Sequence, residues 1–181
     1  MNHRDRIRLL INRHARLDAA LMRSAQLNAV QVVALEYLAN ANRFSRSPSH
    51  VADYLGTTRG TMSQTLKSLE AKGLVSEERL ADDRRSIRYR LTEAGRAALR
   101  AANADRCADT GMNDADQAML ERLLARSLAD RVARTGTKMF GICRECRHHE
   151  LRQNGQRYCH LLNVVLAEEE AEQLCHEQVP A

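Results

Sequence analysis

Four cysteines near the end of the chain have the type and spacing of metal ligands: Cys143-x2-Cys146-x12-Cys159-x15-Cys175. A CxxC on a tight loop presents two adjacent thiolates to one ion or cluster, as in zinc knuckles and iron–sulfur loops. Cys159 and Cys175 would complete a tetrathiolate site, with either a zinc ion or an iron–sulfur cluster (4Fe-4S) as its occupant. His148, His149, His160 and His176 each lie close to a cysteine and could replace one in a mixed zinc site. Unliganded thiols or disulfides are the remaining alternative. A thioredoxin-like redox role for the CxxC is disfavoured, because no strand precedes it to set it at a helix start in a βαβ unit. The fifth cysteine, Cys107, stands alone on a helical stretch and reads as a packing residue rather than a sensor.

What must position these cysteines is the rest of the 181 residues, enough for one ordinary domain with an appendix. With 2 Pro, 8 Gly and 3% aromatics, the composition favours a mostly helical build. Residues 1–138 carry 24 Lys and Arg against 16 Asp and Glu, whereas residues 139–181 carry 4 against 7. The basic charge, behind a pI of about 9.2, therefore belongs to the larger part, where it suits a polyanionic partner. No apolar run approaches the roughly 18 residues of a membrane span, and the N-terminus lacks a signal-peptide core. A cytoplasmic setting, where thiols stay reduced, is expected, and it favours metal over disulfide for clustered cysteines.

Apolar spacing predicts a helix over 5–25 with a long basic face, then a largely buried helix over 28–41. Ser47 or Ser49 can cap a short helix through Gly56, with Pro48 in its first turn. Thr57 or Thr58 can cap the next, which carries a Met62/Leu66/Leu69 stripe and ends at Gly73. Two helices joined at a tight glycine turn make a helix-turn-helix unit. The runs "LVSEERL" and "SIRYRLT" alternate with period two and flank a polar loop, so they predict a hairpin. Thr92 caps a further helix, and another starts at Asn113 or Asp114 and ends at Gly136. The fold class is therefore mainly α (α+β): a winged helix-turn-helix with a two-stranded β wing, a helical dimerisation region and a small Cys-rich, metal-binding C-terminal extension. The expected domains are 1–136 for the DNA-binding and dimerisation part and 137–181 for the extension. A helix from about Ala167 is expected to carry Cys175 back to the CxxC loop, and the extension is expected at the dimerisation end, after the last long helix.

On the second helix of the unit, the face opposite the apolar stripe holds Gly60, Ser63, Gln64 and Lys67, flanked by Thr58, Arg59 and Thr61. None is acidic. Glycine permits close approach to DNA, Gln can pair with adenine, and hydroxyls and Lys reach bases and phosphates. The hairpin tip holds Asp83, Arg84 and Arg85, with Arg88 and Arg90 on the outward strand face. An arginine-tipped loop fits a narrow minor groove, and an acidic neighbour can orient one arginine.

These residues carry a resemblance. The stretches "LNAVQVVALEYL", "HVADYLGTTRGTMSQTLKSLEAKGLV" and "DDRRSIRYRLTEAGRAAL" resemble the MarR family of bacterial regulators, closely over residues 27–99 and loosely over the flanking helices. The resemblance implies a homodimer with interlocking first and last helices that binds a palindromic site in double-stranded DNA, with repression the expected mode. It also implies that the helix from Thr58 to Lys72 reads the major groove, that Arg85, oriented by Asp83, enters the minor groove, and that a small-molecule effector binds at the dimer interface. Members of the family usually lack the cysteine segment. The leucine-rich stripes of residues 5–25 and 114–133 independently call for a dimer, since one small winged-helix core cannot cover both; packing against the tail of the same chain is the alternative. A metal or redox response through the four cysteines follows as an expectation. The alternative is a winged-helix protein-interaction adaptor with a structural zinc site. No Ser/His/acid set, phosphate-cradling Gly loop or HExxH accompanies these features, so no enzyme is expected.

Overall fold

Caps specified in the sequence start most of the helices. In the computed structural model, which describes residues 1–22, 27–79, 87–104 and 111–181, the order is α1 (His3–Leu21), α2 (Ala29–Asn40), a 3-10 turn (Arg43–Ser45), α3 (Pro48–Leu55), α4 (Arg59–Ala71), β1 (Val75–Arg79), β2 (Ile87–Leu91), α5 (Glu93–Asn103) and α6 (Asp114–Thr135). The extension adds β3 (Gly141–Ile142), a second 3-10 turn (Cys143–Glu145), β4 (His149–Leu151), β5 (Arg157–Cys159), β6 (Val164–Leu166), α7 (Glu168–Ala171) and β7 (Leu174–Cys175). Side-chain oxygens of Asn28, Ser47, Thr58, Thr92 and Asn113 accept backbone N–H groups that their helices leave unpaired, which places each start where the sequence predicts it.

The winged helix is built on one core. Val32, Leu35 and Leu38 of α2 meet Val51 of α3 and Met62, Leu66 and Leu69 of α4, all at 2% exposure or less. Each such side chain contributes roughly 1.5–3 kcal/mol relative to exposure. β1 and β2 pair antiparallel from Val75 opposite Leu91 to Arg79 opposite Ile87, so Tyr89 and Leu91 point into this core. Gly95 locks the far side of the wing: a Cβ there would lie 2.0 Å from the Leu74 carbonyl oxygen. The same oxygen accepts the Thr92 N–H, so the turn after α4 and the start of α5 touch backbone to backbone.

α1 and α6 bury no residue, and Leu10, Leu17, Leu120, Leu123 and Leu128 among others stand exposed along them. Both helices contribute to one shallow groove, through Ile11, Leu124 and Leu128 among others.

The extension differs from expectation in three ways. The predicted helix from about Ala167 is a single turn, and Cys175 lies on strand β7, paired antiparallel with β3 so that Gly141 faces Cys175. The Glu170 carboxylate accepts the Ala167 N–H and fixes the one turn, after which the chain extends to meet the strand that leads into Cys143. The remaining residues form a three-stranded sheet, β4-β5-β6, that the sequence reading misses. Its signal was present: Asn154-Gly155, with Gly155 at φ +79°, is a hairpin turn between β4 and β5. The extension also sits beside the 3-10 turn Arg43–Ser45 and α3, with direct hydrogen bonds to both, whereas the expectation set it at the dimerisation end.

Candidate nucleic-acid interface and cysteine centre

The helix-turn-helix presents the face that the sequence predicts. With Met62, Leu66 and Leu69 inward, Thr58, Arg59, Gly60, Thr61, Gln64 and Lys67 are exposed and Ser63 is half-buried. The Thr58 side chain accepts the Thr61 N–H and its hydroxyl bonds that of Thr61 at 2.9 Å, so the N-terminus of α4 is a preorganised polar corner. A cleft of about 300 Å³ adjoins it, lined by Ser47, Ser49, Arg59, Ser63 and Arg88 over a floor that includes Phe44. Hydroxyls, two guanidinium groups and the N-termini of α3 and α4 thus share one face, a composition suited to phosphate oxygens.

Arg88 is more engaged than its place on the outward face of β2 suggests. One Nη donates to the Arg43 carbonyl at 3.1 Å, and the guanidinium stands 5.7 Å from the Phe44 ring, which Arg43 covers at 4.6 Å. Burial, and then the charge of Arg43, lower its pKa from the ordinary arginine value. Arg90 pairs with Glu78 across the strands at 2.8 Å. Asp83, Arg84 and Arg85 at the wing tip lie outside the described residues, as does Cys107.

In the extension, Cys143, Cys159 and Cys175 pack with Leu166 into a core of their own, with Phe44 and Val164 against it. Cys146 is buried nearby at 8% exposure, and none of these four cysteines is in a disulfide. The Cys146 sulfur accepts the Val179 N–H at 3.4 Å. Burial, and then the other three cysteines in the order Cys175, Cys159, Cys146, push the Cys143 thiol up to about 12. Burial raises Cys175 as well, against hydrogen bonds from the Asn42 side chain, the Glu177 backbone and the Ser45 side chain. Three of the four thiols thus share one small core with Cys146 buried beside it, but among the described residues no group of three or more His, Cys, Asp or Glu side chains is arranged to hold a metal ion. Of the histidines weighed as substitutes, His176 is committed elsewhere: it stacks on His50 and its Nε2 lies 3.2 Å from Asp53 Oδ2 of α3. His160 lies 3.1 Å from Glu150.

The seam between extension and winged helix is continuous. Asn42 N–H donates to the Leu174 carbonyl at 2.9 Å, and His176 N–H donates to Ser45 Oγ at 2.9 Å, so both neighbours of Cys175 are bonded to the first 3-10 turn. Arg43 pairs with buried Glu170 at 3.0 Å and donates to the Val165 carbonyl. Phe140 meets the rings of Tyr37, Tyr54 and His176 edge-on. Nothing in the sequence pairs these positions, since no local pattern links Ser45 to a residue 131 places away.

A capped helix-turn-helix followed by a two-stranded wing defines a winged helix-turn-helix protein. Residues 25–86 match the sequence profile of the MarR family. That stretch, 62 of the 181 residues, is similar to the family, and the likeness is confined to it. Among solved structures, apo MarR from E. coli is 21% identical, with a TM-score of 0.56 over 71% of this chain and 98% of its own. The S. aureus MepR–DNA complex is 18% identical, with a TM-score of 0.56 over 72% and 98%. The transcriptional regulator BldR from Sulfolobus solfataricus is 23% identical, with a TM-score of 0.50 over 70% and 99%. These likenesses establish the fold. No curated protein matches the chain. No helix among the described residues is long and apolar enough to cross a membrane.

Proposed function

We propose that the protein binds a palindromic site in duplex DNA as a homodimer and acts there as a repressor. The observation that carries this is the exposed, acid-free face from Thr58 to Lys67 on α4, joined to the cleft of Arg59, Ser63 and Arg88. In this reading α4 enters the major groove, where Gln64 and Ser63 reach base edges and Arg59 and Lys67 reach phosphates. Arg85, oriented by Asp83, enters the minor groove, with Arg84 beside it. The exposed stripes of α1 and α6 supply the dimer contact. A crevice of about 610 Å³ bounded by Tyr54, Leu55, Leu128, Val132, Phe140 and Leu174 is the place for a small-molecule effector. The S. aureus MepR structure is a complex with DNA, and it shares this fold.

The test is a salt titration of duplex-DNA affinity by fluorescence anisotropy. Binding is expected to weaken linearly in log–log form, and Arg59→Ala and Lys67→Ala are each expected to reduce the slope by about one. Salt-independent binding, or none at low salt, would overturn the reading. Transcription from a template carrying the selected site then separates repression from activation.

The four cysteines of the extension complete this reading as ligands of a zinc ion or a [4Fe–4S] cluster. The packing of Cys143, Cys159 and Cys175 in one core, the burial of Cys146 and the Val179 N–H donated to its sulfur support it. Backbone donors to sulfur are the usual outer partners of metal thiolates. Zinc and iron analysis with an absorption spectrum of anaerobically purified protein distinguishes the two occupants.

A further inference from the structure

The segment Leu174-Cys175-His176 runs beside residues 41–45 of the winged helix, bonded on both sides of the cysteine. Leu174 pairs with Ala41 in a parallel bridge and accepts the Asn42 N–H, while His176 N–H donates to Ser45 Oγ. Ser45 is 1% exposed, and its hydroxyl donates in turn to Asn42 Oδ1 at 2.8 Å. On its other side the same turn holds the wing. Arg46 accepts the Tyr89 N–H at 3.0 Å through its carbonyl, and the Arg43 carbonyl accepts from Arg88. Ser47, one residue further, caps α3. A single short turn therefore lies between Cys175 and two elements of the DNA-facing side.

We propose that the extension is a metal-dependent clamp on the helix-turn-helix: filling a tetrathiolate site of Cys143, Cys146, Cys159 and Cys175 fixes β7, and β7 fixes the turn Arg43–Ser45 that sets β2 and the start of α3. This rests on the readings of the four cysteines as metal ligands and of the α4 face as the DNA interface.

The physical reason lies in the size of the extension. Its core contains three cysteines and Leu166, with Phe44 and Val164 packed on it, too little apolar area to hold five short strands by itself. Metal binding supplies folding free energy in such units. Zinc bound by four thiolates, or an oxidised [4Fe–4S] core bound by four, leaves the same net charge of two minus, and either releases the thiol protons to solvent on assembly. The Val179 N–H donated to the Cys146 sulfur opposes that charge. Loss of the metal loosens β7, and the turn loses the partners of the Asn42 N–H and of Ser45 Oγ.

The experiment uses the full chain, stripped with a chelator under anaerobic conditions and reloaded either with zinc ions alone or with ferric iron, sulfide and a dithiol that supplies the two electrons per cluster. Amide hydrogen exchange over residues 41–46 and 87–91 and affinity for duplex DNA are read in each state. The expected result is one zinc ion or one cluster per chain, faster exchange of both segments in the stripped protein, and a change in DNA affinity of about tenfold or more. Ser45→Ala and Asn42→Ala, which keep all four cysteines, are expected to bind the metal yet shrink the affinity change to less than about threefold. Failure to bind either metal would overturn the site. Metal binding with unchanged exchange at 41–46 would overturn the clamp. Equal DNA affinity of stripped and loaded wild type would overturn the regulation, whereas loss of DNA binding in both states counts against the DNA reading alone and leaves the exchange data to decide the clamp.

Discussion

The rings of His50 on α3 and His176 after β7 lie nearly parallel, 3.9 Å between centroids at 22°. Both belong to the seam between extension and winged helix. Burial, and then the positive charge that His176 would carry, lower the pKa of His50 to about 4, while Glu177 and Asp53 oppose the shift and Lys138 adds to it. Its Nδ1 is buried without a hydrogen-bond partner.

That environment predicts acid sensitivity. Between pH 6.5 and about 4, unfolded His50 binds a proton that the folded side chain refuses, so folded stability falls as pH falls through this window. The melting temperature should drop more steeply between pH 7 and 5 in the wild type than in His50→Gln. Parallel curves for the two proteins would contradict the prediction.

Gly95→Ala should destabilise the winged helix strongly. The added Cβ would meet the Leu74 carbonyl oxygen, a backbone atom held by Thr92 N–H, so relief requires shifting two elements at once. A loss of about 3 kcal/mol is expected by urea unfolding, at the upper end of overpacking costs.

Tyr37 joins α2 to the seam: its hydroxyl donates to the Ser45 carbonyl at 2.7 Å from a side chain 1% exposed. Burial keeps its pKa well above the ordinary tyrosine value, so it acts as a neutral donor at any working pH. Tyr37→Phe leaves that carbonyl without this partner and should cost about 1–3 kcal/mol in chemical denaturation.

Gln64→Ala, on the exposed face of α4, should leave the melting temperature within about a degree or two, since surface changes of this kind stay within about 0.5 kcal/mol. Its effect should fall on discrimination, reducing preference for the selected operator by about 1–3 kcal/mol while changing affinity for random duplex little. Competition binding with the two duplexes reads this directly.

Ile11→Asp with Leu124→Asp places charge in the groove shared by α1 and α6. Both side chains are exposed within one chain, at 45% and 46%, so the fold should survive. Light scattering should show a dimer for the wild type and a monomer for the double variant.

The winged helix was legible in the sequence because its instructions are local. Asn28, Ser47, Thr58, Thr92 and Asn113 cap within three residues of themselves, and the alternation of Ile87, Tyr89 and Leu91 states which face of the wing is inward. The stripe from Gly60 to Lys67 followed from the same 3.6-residue period that buries Met62, Leu66 and Leu69. The extension is legible only in its chemistry: the spacing marks four cysteines, but not the short strands that carry Cys159 and Cys175. Two- and three-residue strands carry too little periodicity to be read, and the Asn154-Gly155 turn was the one strong local mark. That the extension leans on the turn Arg43–Ser45 is a matter of tertiary structure alone. The bonds from Asn42 to Leu174 and from His176 to Ser45 join backbone and hydroxyl groups whose types are common everywhere in the chain, and only the folded core brings those particular ones within 3 Å.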